Sequence, residues 1–307
     1  MKKIKHWLQA IGLFRGFWLV SLIPVSTGAA LAWHGGARFS APLFALTLAG
    51  VWALHIAANL LNDYYDHING TDDHNQVITP FSGGTRVIQQ GLLPARSLRR
   101  AAIGCQVAGV LLLTLCAAIS GRWSIMIWAP LGVLGGLFYS GAGLWLISRG
   151  LGELTLGAVF GPTLVSLGCY VQSGSISNAA WLAGIVFGLG ASAVLTINEF
   201  PDVPADELAG KRTLVVRLGR QRGFALYATM IALMPVCILL GVGFRLFPIG
   251  CLAALIPAAL GALIVARGER PLRELAKQIA ASRNTIVLHV STWALFLAGI
   301  GSHQIGR

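Results

Sequence analysis

The sequence predicts an all-α, polytopic membrane protein with nine transmembrane helices, and three observations carry that expectation. Of 307 residues, 55% are hydrophobic and 11% charged, whereas soluble globular domains carry roughly 25% charged residues. The mean hydropathy is +0.72. The apolar residues gather into nine runs, near 12–33, 40–61, 101–119, 123–140, 153–173, 179–200, 223–243, 246–266 and 285–303. A crossing needs about 20 such residues, and in lipid a single segment satisfies its backbone polar groups only as a helix.

The first run follows MKKIKH and contains TGAALAW, which gives it the look of a secretory signal. Its apolar stretch is longer than a signal's apolar region of about 7–15 residues, and Arg15 lies inside it, so we read an uncleaved first helix. The remaining runs are separated by short polar segments whose charges set the topology. With the N-terminus in the cytoplasm, 18 of the 23 Lys and Arg fall on that side: three in the leader, four at 86–100, Arg149, five at 211–222 and five at 267–283. The positive-inside rule then gives an N-in, C-out arrangement in the inner membrane. Lysines and arginines flanking apolar spans account for the net charge of +12 better than a nucleic-acid partner does. Cys105, Cys116, Cys169, Cys237 and Cys251 all lie in apolar runs without CxxC spacing, which suggests neither disulfides nor zinc.

The acids are more lopsided than the bases. Asp63, Asp66, Asp72 and Asp73 follow the second run, and Glu199, Asp202, Asp206 and Glu207 close the sixth, which places eight of 11 acids in two clusters on the cytoplasmic side. One cluster opens Asn62-Asp63-Tyr64-Tyr65-Asp66 and the other Asn198-Glu199-Phe200-Pro201-Asp202, both Asn-acid-aromatic-x-Asp. The match suggests one domain over 1–307 built as four-helix halves, 12–140 and 153–266, plus a ninth helix at 285–303.

On a helix, Asp63 and Asp66 share a face, as do Asp202 and Asp206. His55, Asn59, Asn62 and Asp66 extend the first stripe back into the membrane, and such a stripe must face the bundle interior. Like charges held this close call for a cation, and hard oxygen donors suit Mg²⁺ shared between carboxylates and substrate phosphates. Asp63, Asp66, Asp72, Asp202 and Asp206 are the candidate metal ligands of a diphosphate clamp, while Asp73 and Glu207 read as surface residues. Lys211 and Arg212 follow the second cluster, and Ser82-Gly83-Gly84-Thr85-Arg86 follows the first. Both segments offer cationic or backbone donors to phosphate. Tyr139, Arg149 and Glu153 border a third cytoplasmic stretch, where Glu153 is either functional or paired with Arg149 at i,i+4.

At these residues the chain resembles the UbiA superfamily of intramembrane aromatic prenyltransferases. Asn62, Asp63, Asp66 and Asp72 match its first acidic motif, and Asp202 and Asp206 its second. NDYYDHINGTD, SGGTRVIQQGLL, RGLGEL, FGP at 160–162 and DVPADELAGKRTLVVRLG resemble the branch that prenylates 1,4-dihydroxy-2-naphthoate for menaquinone. Three positions depart from the family pattern: Gly141-Ala142-Gly143-Leu144 replaces Gly-Pro-x-Pro-Leu, Glu199 stands where Asn or Asp is commoner, and Pro201 replaces an Arg. The resemblance implies helices around a central cavity, Mg²⁺, an isoprenoid diphosphate donor and an aromatic acceptor. It also implies catalytic roles for Asp63, Asp66, Asp202, Asp206, Lys211 and Arg212. Substrate contacts are implied for Asn59, Asn62, Asp72, Arg86, Tyr139, Arg149, Glu153 and Asn198. The competing acceptor is 4-hydroxybenzoate or another aromatic ring, and the competing class is a secondary transporter, whose polar sites lie nearer the bilayer midplane.

Overall fold

In the computed structural model, which describes residues 2–13, 17–141 and 143–305, every regular element is a helix. A short amphipathic α1 (Lys2–Ala10) precedes α2 (Phe17–His34), α3 (Ala41–Ile68), a single turn α4 (Thr71–His74), α5 (Ala95–Ser120) and α6 (Trp128–Ser140). Then come α7 (Gly152–Ala158), α8 (Leu164–Ser173), α9 (Asn178–Glu199), the short α10 (Val203–Leu208), α11 (Leu214–Gly243), α12 (Ala258–Ala266) and α13 (Leu275–Ile305). Eight helical segments among the described residues are long and apolar enough to cross a membrane. The ninth expected span, 12–33, is represented by α2, which is apolar but shorter; residues 14–16, including Arg15, lie outside the described residues.

Several helices run past the boundaries that hydropathy sets. α3 continues through the first acidic cluster to Ile68, α11 begins at Leu214 and α13 at Leu275. Charge ends an apolar window but not a hydrogen-bonded helix, so these extensions stand as helical posts beyond the expected spans. α11 carries its break at Gly219, whose φ of +74° only glycine adopts freely.

Helices cross closely where glycine removes the side chain. At the α2–α8 crossing, a Cβ on Gly28 would meet the Val165 carbonyl oxygen at 2.0 Å, and one on Gly168 would meet that of Val25 at 2.3 Å. α9 meets the break between α7 and α8 in the same way, with Gly184 and Gly188 against Gly161 and Gly157. That break is a π-type turn over Val159–Thr163 containing Gly161 and Pro162, and such turns widen a helix locally. Small residues are the usual means of close helix packing in lipid. Three apolar clusters hold the bundle, one centred on α9, α11 and α13, one on α3, α5 and α8, and one joining α1 to α3 and α5.

Candidate active site

Between these helices lies a cavity of about 370 Å³. Its wall is apolar over most of its height, with Ile23, Leu54, Phe160, Leu164 and Val194 among its lining, and acidic at one end, where Asp63, Asp66, Asp202 and Asp206 converge. The two sequence clusters therefore face one another across a single opening. α3 brings the first pair, and the turn from α9 into α10, with α10 itself, brings the second. Asp202 ends that turn, and the Asp206 amide donates to its carbonyl at 2.9 Å.

Lys211 joins the two acid clusters. Its amide donates to the Asp206 carbonyl at 2.7 Å, a turn that directs the ammonium inward, where Nζ donates to Asp66 Oδ2 at 3.0 Å and lies 3.8 Å from Asp206 Oδ1. Asn62 supports the same carboxylate oxygen at 3.2 Å and donates to Ser140 at 3.0 Å. The segment 75–86 braces the outer acids. Asn75 Nδ2 donates to Asp202 Oδ1 at 2.9 Å and the Gly83 amide to Oδ2 at 3.3 Å, while Thr85 gives both its amide, at 3.2 Å, and its hydroxyl to Asp63. The glycine pair thus approaches carboxylates: a Cβ on Gly84, at φ +65°, would meet Asp72 Oδ1 at 2.8 Å.

Charge is unbalanced here. Burial, followed by the Asp66 and Asp63 carboxylates, pushes the Asp72 carboxyl up to about 8 against the pull of Arg86 and Lys211. Burial raises Asp206 to about 7, with Lys211 opposing and Asp202 and Asp66 adding, and burial also raises Asp202. For Lys211, burial alone would lower the ammonium, but Asp66, Asp206 and Asp202 drive it well above its ordinary value. Two cations, Lys211 and Arg86, stand among five acids, Asp63, Asp66, Asp72, Asp202 and Asp206, which leaves a surplus of acid.

A divalent cation fits that surplus. The donors are hard carboxylate oxygens, and Asp66 Oδ1 is buried without a hydrogen-bond partner. Among the described residues no three such side chains form a closed ligand set, so a divalent cation held here would need waters or substrate phosphates to complete its ligands, as Mg²⁺ usually does.

Other expected residues divide. Asn59, Asn62, Tyr139 and Asn198 line the cavity. Asp72 is buried behind it, and Arg86, with φ +63°, turns its guanidinium onto the Asp72 carbonyl. Glu153 is buried, and no ion pair joins it to Arg149, which is exposed. Arg212 is exposed as well, its amide held by Ser148 Oγ at 3.1 Å, so its side chain is outside the cavity wall. Asp73 and Glu207 lie on the surface as expected. Tyr65 packs against Gly141 and Tyr64 lies beneath Arg99, both away from the cavity. Asn75 and the cavity-lining His289 escaped the sequence reading: Asn75 sits in a polar loop with no periodicity, and His289 is an isolated histidine among apolar and hydroxyl side chains.

Comparison with known proteins accords with this geometry. Residues 21–300 match the UbiA prenyltransferase family. The 1,4-dihydroxy-2-naphthoate octaprenyltransferase of Mycobacterium tuberculosis is 33% identical over 91% of this chain and 91% of its own. The Escherichia coli protein of the same name is 29% identical over 84% and 85%. Among solved structures, a UbiA homolog from Aeropyrum pernix superposes with a TM-score of 0.67 at 16% identity, covering 92% of this chain and 98% of that one. A UbiA homolog from Archaeoglobus fulgidus bound to GPP and Mg²⁺ gives 0.60 at 14% identity, over 95% and 99%. An apolar chamber closed by two facing acid clusters, in a chain matched over most of its length, leads to one conclusion: this protein belongs to the UbiA prenyltransferase family.

Proposed function

We propose that this chain, an aromatic prenyltransferase, moves a polyprenyl group from an isoprenoid diphosphate to 1,4-dihydroxy-2-naphthoate, giving a prenylated naphthoquinol precursor of menaquinone. The observation that carries the reading is the juxtaposition of an acid-lined, Lys211-bridged opening with a long apolar chamber, which matches an amphiphilic donor with a charged head and a hydrocarbon tail. The naphthoate acceptor is supported by relatives of that name at 33% and 29% identity. The excess of bases at the acid-lined end argues that this end faces the cytoplasm, with the N-terminus inside.

The difficult event is heterolysis of the allylic C–O bond, which builds charge on the diphosphate and a carbocation on the tail. Mg²⁺ held by Asp63, Asp66, Asp202 and Asp206 would neutralise the departing diphosphate. Lys211 adds a permanently charged donor at the same place, preorganised by Asp66 and Asp206. Thr85, Asn75 and the Gly83 amide hold Asp63 and Asp202 in position, as partners of metal ligands do. The apolar wall excludes water that would otherwise capture the cation. The electron-rich ring carbon bearing the carboxylate then forms the new C–C bond, and loss of CO₂ returns the ring to aromaticity without a net proton.

The test is direct. Membranes containing the protein are incubated with Mg²⁺, an all-trans polyprenyl diphosphate and either 1,4-dihydroxy-2-naphthoate or 4-hydroxybenzoate, and products are identified by mass. A prenylated, decarboxylated naphthoquinol is expected. Prenylated 4-hydroxybenzoate alone would replace the acceptor, and no prenylated product with either would overturn the reading.

A further inference from the structure

The amphipathic α1 is strapped across the acid-lined end of the molecule. Trp7 and Ala10 join the apolar cluster that holds Val87, Leu93, Leu98 and Ala102. Gln9 reaches further, its Nε2 donating to the Thr85 carbonyl at 2.9 Å. The amide and hydroxyl of that same threonine hold Asp63. One side of α1 is thereby fixed to the residue that braces the first acid cluster.

The start of α1 is open. Ile4 is 65% exposed, and Lys3 and Lys5 on either side of it are exposed as well. Ile4, Trp7, Leu8 and Ile11 form one stripe at helical spacing, so the stripe that packs on the bundle at Trp7 runs out onto the surface at Ile4. α5 gives the depth. Leu98 and Ala102, which share a cluster with α1, lie where the exposed Arg96, Arg99 and Arg100 give way to the exposed apolar column of Ile103, Val107 and Leu111. Such a column faces hydrocarbon and the arginines before it face headgroups, which sets α1 at headgroup level.

Charge names the occupant of this face. No Asp or Glu occurs in residues 1–62 or 74–152, so α1 and the start of α5 present cations alone. An acidic soluble protein would match the lysines but not the isoleucine between them. Anionic lipid matches both, with headgroups for the ammonium groups and the acyl boundary for Ile4. We infer that α1 rests on anionic lipid through Lys3, Ile4 and Lys5 and passes that contact through Gln9 to Thr85, so that the lipid surface steadies the loop that holds Asp63.

Hydrogen exchange tests this in the full-length protein, without substrates, in nanodiscs of phosphatidylcholine with or without phosphatidylglycerol. Phosphatidylglycerol should slow exchange over α1 by about 10- to 30-fold, at roughly fivefold for each lysine near an anionic surface. It should slow residues 83–88 at the same time, and high salt should weaken both effects. Lys3→Gln combined with Lys5→Gln, at two exposed positions, should remove most of both. Gln9→Leu should keep the response of α1 and lose that of 83–88. Equal exchange in the two kinds of disc, or an undiminished response in the lysine variant, would overturn the lipid surface. A response of 83–88 that survives Gln9→Leu would overturn the relay. Slowing by soluble polyglutamate but not by phosphatidylglycerol would overturn the lipid in favour of an acidic protein. No turnover is measured, so the outcome stands apart from the prenyl-transfer reading.

Discussion

Lys211 and Asp66, 145 residues apart in the chain, meet through a buried 3.0 Å ion pair. This contact ties α3 to the segment that follows α10 over the head of the cavity, and it joins a buried ammonium to a carboxylate whose other oxygen has no hydrogen-bond partner. Removing Lys211 would leave Asp66 and Asp206 buried without their shared cation, at a cost of about 3–5 kcal/mol.

Lys211→Ala and Arg212→Ala should therefore part company. The first should raise the apparent KM for the diphosphate donor by at least about 10-fold and lower the thermal unfolding midpoint, as one charged hydrogen bond is worth roughly 1.5–3 kcal/mol. The second, whose side chain is exposed, should stay near wild type. Steady-state kinetics with donor and acceptor varied in turn checks both.

Asp66→Asn and Asp202→Asn should each abolish turnover while the detergent-extracted protein keeps its helical circular dichroism, since each removes a proposed metal ligand and not packing. Near-normal turnover in both variants would refute the facing-cluster clamp.

Asn75→Ala should leave the fold intact but raise the Mg²⁺ concentration needed for half-maximal activity by about 10-fold or more, in keeping with loss of an outer partner to a metal ligand. The measurement is a Mg²⁺ titration of turnover against the wild type.

Stability of the metal-free protein should fall as pH rises. The Asp72 and Asp206 carboxyls, at about 8 and about 7 in the fold, bind protons more tightly there than in the unfolded chain, where the ordinary value is 3.8. Their contribution is complete below about pH 4 and is lost progressively as pH rises through 7 and 8. Thermal unfolding from pH 5 to 8.5 in EDTA should show the decline, and millimolar Mg²⁺ should flatten it. A midpoint independent of pH in EDTA would contradict the surplus of buried acid.

Gly188→Ala should destabilise the bundle by about 1–3 kcal/mol, because the added Cβ would stand 2.5 Å from the Gly157 carbonyl oxygen. Denaturant or thermal unfolding in detergent measures it.

Much of this architecture was legible in the chain because lipid tolerates so few polar residues that each one present is informative. The positions of the spans and the gathering of Asp63, Asp66, Asp202 and Asp206 followed from that scarcity. The ends of α3, α11 and α13 did not, since hydropathy reads the solvent around a segment and not its hydrogen bonding. Nor could spacing separate Lys211 from Arg212: adjacent residues leave a turn in different directions, and only the Asp206 carbonyl, by taking the Lys211 amide, decides which goes inward. Asn75 and Thr85 were illegible as braces because they act across 127 and 22 residues, through a loop whose path depends on the finished bundle.

α3 runs unbroken for 28 residues, and His55, anchored to Ser21 of α2 at 2.8 Å, lies 11 residues before Asp66 on that same rod. At 1.5 Å per residue the two levels are fixed about 16 Å apart. The spacing between these two levels is thereby a property of the hydrogen-bonded helix and not of the bilayer around it. A thicker or thinner membrane cannot stretch this ruler; it can only tilt the bundle or deform its own annulus of lipid.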